Sequence, residues 1–232
     1  MKKLALLIVV GLSLIACTTG MNTGIKSNNG SQTVTKFPVE TALLNIYTKA
    51  RTDTLIEAND NQNTVFDIKV VPKGATVFNN QQVKGAETTY TIKSNGIIDQ
   101  QLISVNYYTL NPTKFYGFTN SLGQYSVANQ IADIPKMAAI GESSKLIIEN
   151  VYSDSKKDVL VDSYTQTWSL SRAGKDTAWF CIIALANPIS RDPNSENSEC
   201  YLINAQGDLL KSKLTDSYKT EDAIDLAIYN SQ

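Results

Sequence analysis

The sequence contains no histidine. Catalysis through an imidazole base, His-ligated zinc and His-based pH switching are therefore excluded. Cysteine is scarce, with three residues in 232, so a dense disulfide scaffold is excluded as well. Neither sign of charge dominates: 21 basic side chains face 22 acidic ones, a net charge of −1. Without a basic surplus the chain is poorly suited to a phosphate backbone, and no nucleic-acid partner is expected. Near-neutral charge with 42% hydrophobic residues also argues for a folded domain rather than disorder. No apolar run reaches the roughly 20 residues of a membrane-spanning helix.

What is present begins with an address. Lys2 and Lys3 precede a short apolar stretch, residues 4–12, which leads into Leu14-Ile15-Ala16-Cys17. A positive start, a short apolar core and a small residue at the break make an export signal. An ordinary signal needs no cysteine there, and this run resembles the lipobox of bacterial lipoproteins. The resemblance covers residues 1–17. It implies that residues 1–16 are removed, that the Cys17 thiol is diacylglycerylated, and that its new amine is acylated, with palmitate as a typical chain. Two or more acyl chains, at roughly 0.8 kcal/mol per buried CH₂, make such an anchor to the membrane durable. Thr18 stands where an Asp often retains Gram-negative lipoproteins in the inner membrane. The resemblance thus implies the outer membrane, facing the periplasm or the cell surface.

Loss of 16 residues, Lys2 and Lys3 among them, leaves 216 with a charge of −3. Residues 18–36 are rich in Gly, Asn, Ser and Thr. Together with Cys17 they predict a tether over 17–36, with an end-to-end distance of about 24 Å from roughly 5–6 Å × √n. A β-rich domain is expected over 37–232.

One helix is predicted, over 38–50. Pro38 suits a first turn, and Val39, Ala42, Leu43, Ile46 and Tyr47 recur on one stripe. Such a short helix must dock on something, and it is expected either on one face of a sheet or as a plug in a barrel end. The remaining signals are strands. Runs at 65–71, 87–93, 102–110, 145–152, 164–170, 178–186 and 200–205 are β-branched or aromatic, and turn residues separate them. Residues 222–230 fit a closing strand better than a helix. The fold class read from these runs is mainly β: an antiparallel sandwich or barrel-like sheet of about 8–10 strands. The run at 178–186 is apolar in both parities and predicts a central strand covered on both faces.

The runs also recur. Tyr90, Pro112 and Gly123 match Trp168, Pro188 and Gly207 at offsets that drift only by loop lengths. Either units at about 64–132 and 144–214 are duplicated, or strands and turns recur as they do in any β protein.

Cys181 and Cys200 remain after Cys17 is assigned to lipid. A hairpin centred near Ser190 and Arg191 would set them opposite one another, within reach of a structural disulfide. Signals for catalysis are weak. Ser153 and Lys156 form S-x-x-K without its partner motifs, which reads as a polar hairpin turn. Oxygen-bearing residues at Asp192, Asn194, Glu196 and Glu199 alternate as in a calcium loop but lack its Gly, which reads as a solvated loop. No metal, cofactor or catalytic residue is expected. Aromatics gather between 107 and 125, and Tyr107, Tyr108, Tyr116 and Tyr125 are candidates for a shallow binding surface.

Beyond the lipobox, ETALLNIYT (40–48), TWSL (167–170), AWFC (178–181) and CYLINAQGDLL (200–210) resemble segments of uncharacterised proteobacterial envelope lipoproteins. That resemblance implies a fold with a docking helix, core tryptophans and a disulfide, and no activity. The expected function is a non-catalytic outer-membrane lipoprotein that binds an envelope protein, peptide, glycan or small amphiphile. An outward-facing adhesion module and an enzyme using carboxylate or Ser-Lys chemistry are the alternatives. A deep cavity would favour the first, a flat aromatic patch the second, and carboxylates converging in a cleft the third.

Overall fold

The computed structural model describes residues 33–58, 63–187, 192–219 and 224–231. A short strand β1 (Lys36–Phe37) leads into the helix α1 (Val39–Thr48). Twelve strands then form a closed antiparallel barrel in which sequence neighbours pair. They are β2 (Arg51–Glu57), β3 (Val65–Phe78), β4 (Gln81–Ser94), β5 (Ile97–Leu110), β6 (Thr113–Asn120) and β7 (Tyr125–Gln130). After the two-residue β8 (Ala138–Ala139) come β9 (Ser143–Tyr152), β10 (Leu160–Arg172), β11 (Thr177–Asn187), β12 (Asp192–Asn204), β13 (Leu209–Lys219) and β14 (Ile224–Ser231). The ring closes where β14 pairs with β2, Tyr229 opposite Glu57.

The barrel alternative is thus the one adopted, and 8–10 strands was too few. The barrel strands without an expected run are β2, β6, β7 and β13, and in β2 and β13 inward positions are partly polar. In β2, Arg51, Asp53 and Leu55 share the inner face, and in β13, Ser212, Leu214 and Asp216 do. Outward residues such as Thr52, Thr54, Lys211 and Thr215 are polar too, so little apolar alternation remains in the sequence. The run at 222–230 does close the sheet, as β14.

Twelve strands enclose more space than side chains alone can fill, because barrel diameter grows with strand number. The helix fills one end. Its apolar stripe of Val39, Ala42, Leu43 and Ile46 is buried, and Phe37 beside it is fully buried. The helix is fixed to the turns at that end. The Asn45 side-chain amide donates to the Gly207 carbonyl at 2.9 Å in the β12–β13 turn, and Thr113 at the start of β6 donates to Glu40 at 3.0 Å. Gly207 has φ +81°, and a Cβ there would approach Pro38 to 3.1 Å, so this turn has little room for a side chain against the helix start. The pair β1–β8 closes the same end, with Phe37 opposite Ala138. Val34 bonds the β10–β11 turn there as well, donating to Lys175 and accepting from Arg172.

Strand β11 needs a correction. Its inner face packs into the core through Phe180 and Ala184, but among the described residues no second layer covers its outer face, where Leu185 is 50% exposed. The units proposed as duplicates occupy adjacent stretches of one wall, β3–β7 and β9–β13. The β5–β6 turn lies at the helix end, through Tyr108 and Thr113, whereas β11 starts at that end and finishes at the other. Corresponding strands therefore run in opposite directions, so rotation about the barrel axis does not superpose the two units.

Candidate functional site

Inward positions on β10, β11 and β12 are read directly from the register. The row nearest the helix is Leu170, Phe180 and Tyr201. The next is Trp168, Ile182 and Glu199, and the third is Gln166, Ala184 and Asn197. Period-two alternation puts every member of these rows inside. The interior thus changes along the barrel from aromatic and aliphatic to amide. A cavity of about 100 Å³ opens beyond the helix, bounded by Ile46 and Tyr47 on one side. Its apolar lining includes Ile68, Val70, Leu102 and Ile182, and its polar lining includes Ser104, Asn106, Gln166 and Asn197.

Two carboxylates stand inside. Glu199 accepts from Tyr201 at 2.8 Å and from Tyr90 at 3.3 Å. Burial raises its carboxyl above the usual range, while the Tyr201 bond, the Arg51 charge and the Tyr90 bond pull it back. Arg51 is committed nearby: Nε donates to Asp53 at 2.7 Å, Nη2 to the Tyr201 hydroxyl at 3.1 Å, and Nη1 to the Ile46 carbonyl. Glu149, 3% exposed, lies next to Tyr164 on the neighbouring strand. It accepts from the Tyr164 hydroxyl at 2.8 Å and from Ser126 Oγ. Burial raises this carboxyl, and the two hydrogen bonds offset part of the effect.

Backbone geometry makes the Ser126 contact. Gly117, with φ +133°, sits at a bulge in β6, and a Cβ there would stand 2.3 Å from the Ser126 carbonyl. Only glycine lets the two strands approach this closely. Ser126 is then fully buried, accepts from the Phe118 N–H at 2.6 Å and donates to Glu149. The phenols of Tyr47, Tyr90, Tyr164 and Tyr201 are all raised, chiefly by burial, and remain protonated donors.

The tyrosines singled out from sequence do not assemble into one surface. Tyr108 is buried inside, its hydroxyl donating to the Tyr47 carbonyl at 3.3 Å. Tyr107 and Tyr125 lie outside, and Phe78 stacks on both, with ring centroids 4.1 and 4.8 Å away. Phe78 reaches them because β3 and β4 run on beyond β2 after a register shift between Pro72 and Ala75. Tyr116 is separate and half-buried, with the Lys114 ammonium 5.4 Å from its ring.

Cys181 and Cys200 are register partners joined by a disulfide. They lie on the outer face, opposite in parity to Phe180 and Tyr201. Cys17 lies outside the described residues. Ser153 and Lys156 are exposed in the β9–β10 turn. Residues 192–199, expected to form a solvated loop, are part of β12, and 196–199 are paired on both sides. Sequence reasoning thus missed Asn197 and Glu199 as interior groups, although Asn197, Glu199, Tyr201 and Ile203 recur with a period of two. No family model, curated protein or solved structure matches the chain.

Proposed function

We propose that the chain is a lipid-anchored envelope protein, held through Cys17, whose barrel binds a small molecule of mixed polarity. The observation that carries this reading is the cavity beyond the helix, where amide and hydroxyl groups and apolar side chains line one space. An engineered cavity of about 150 Å³ accommodates benzene, so a space of about 100 Å³ suits a smaller ligand. The amphiphile expected from sequence is thereby narrowed to a small, polar one. The role is binding rather than catalysis: Glu149 and Glu199 are each engaged by hydroxyl donors that hold the barrel wall together.

The anchor fits this arrangement. Val34 is bonded at the helix-closed end, so a tether leading from Cys17 joins the barrel there. The outer-membrane placement rests on the lipobox resemblance. Two measurements test the reading. Cys17→Ser should move the protein from the membrane fraction to the soluble fraction, and an unchanged membrane fraction would contradict the anchor. Native mass spectrometry of the protein released from membranes should show a bound small molecule. Ala184→Phe, which fills the cavity between Gln166 and Asn197, should abolish it; equal occupancy in both proteins would contradict binding in the lumen.

A further inference from the structure

We infer that the cavity binds a small organic ammonium that also carries a hydroxyl or carbonyl oxygen. This rests on the reading that the lumen binds a ligand, and it names the ligand's chemistry.

Charge is the first argument. Glu199, opposite Ile182, is the one carboxylate among the residues lining the cavity, and Asp53 occupies an inward position on β2, opposite Ile68. Arg51 is the one cation among the residues lining the cavity, and it is already bonded to Asp53, Tyr201 and the Ile46 carbonyl. With Arg51 paired to Asp53, Glu199 has no salt bridge to a cation among the described residues, and this favours a positive guest beside it. Glu199 retains acceptor capacity, because a carboxylate offers about four lone-pair sites and Tyr90 and Tyr201 use two. The rings of Tyr47, Tyr90 and Tyr201 line the same space, and aromatic faces attract ammonium groups.

The second argument is independent of charge. Asn197 is 6% exposed and lines the cavity, and its Nδ2 has no hydrogen-bond partner among the described residues. A buried donor of this kind requires an acceptor oxygen. Asn197 and Glu199 project from the same face of β12, about 6.8 Å apart along the strand. An ammonium at Glu199 and an oxygen at Asn197 would satisfy both groups within one small molecule. A neutral diol would leave the charge uncompensated, and an anion would add to it.

The test is calorimetric titration of the lipidated protein in detergent with 3-amino-1-propanol, 1,3-propanediol and 3-hydroxypropionate. The amino alcohol should bind at least about tenfold tighter than either analogue, the usual scale of a charge-assisted hydrogen bond. Glu199→Gln should remove that preference. Asn197→Leu should weaken the amino alcohol about fivefold and raise the melting temperature of the ligand-free protein, because a purely structural Asn197 would lower it when replaced. Equal binding of the diol, or an unchanged preference in Glu199→Gln, would overturn the ammonium assignment. Binding of none of the three, with Ala184→Phe still displacing a co-purifying molecule, would overturn the assignment and leave lumen binding standing. The same failure with no co-purifying molecule would overturn both.

Discussion

The two halves of the barrel interior are built on opposite principles. At the helix end, Phe37, Leu43, Ile46, Leu170, Phe180 and Ile203 pack into one continuous apolar core. Beyond the helix Phe118, Val151, Tyr164 and Ala184 form a separate, smaller cluster, and amides and a carboxylate share the cavity lining with apolar side chains such as Ile68, Leu102 and Ile182. Both halves belong to the same strands with the same pleat. The difference comes from what twelve strands enclose. A barrel this wide needs a filler, the helix supplies it at one end only, and the other end keeps space and polarity. Burying polar groups there costs stability unless each finds a partner. The helix end therefore supplies the stability that lets the other half keep the unpartnered Nδ2 of Asn197 and buried carboxylates.

Four changes would break or sharpen this contrast. Leu43→Ala, at the 1%-exposed centre of the helix stripe, should lower stability by about 3–4 kcal/mol through lost burial and a cavity. Chemical denaturation measures it, and a loss under 1 kcal/mol would mean that the helix is not the stabilising filler. Replacing Cys181 and Cys200 by Ser together should cost about 3 kcal/mol, since the bridge closes a separation of 19 residues. Because β11 and β12 run through both halves, hydrogen exchange should accelerate at both ends of those strands. Acceleration at one end only would show that the halves unfold separately.

Glu149→Gln gives a pH-dependent effect. Burial holds this carboxyl above its ordinary value of 4.5, so the native state binds the proton more tightly than the unfolded chain does. Its contribution to stability is therefore complete below about pH 4.5 and is lost as pH rises through the raised value. The glutamine variant should gain on the parent more at pH 8 than at pH 5, as read from urea midpoints, and an equal difference at both would contradict the assignment. The smallest effect is expected at Asn197, where Leu removes a buried donor without a partner and should stabilise by about 1 kcal/mol. A destabilised variant would show that the far half is packed like the helix half.

The sequence made the helix end more legible than the cavity. The stripe from Val39 to Ile46 has the helical period, and the structure buries those residues. The Cys181–Cys200 register followed from hairpin symmetry alone. Strand alternation failed in β2 and β13, where inward residues such as Asp53 and Asp216 are polar. Strand alternation puts adjacent Tyr107 and Tyr108 on opposite faces, but nothing local shows that Phe78, about thirty residues earlier, stacks on the outer one. Asn197 and Glu199 resembled loop residues because their burial depends on pairing with β11 and β13, and such long-range pairing is not written in local composition.

The most direct test of the two-half account is a titration of the protein with 3-amino-1-propanol followed by amide chemical shifts. Gln166, Ala184, Asn197 and Glu199 should shift together and saturate at one concentration, while Phe37, Leu43 and Phe180 stay in place. Shifts that spread equally over the helix end, or that fall only on outward residues, would contradict a binding chamber in the open half of the barrel.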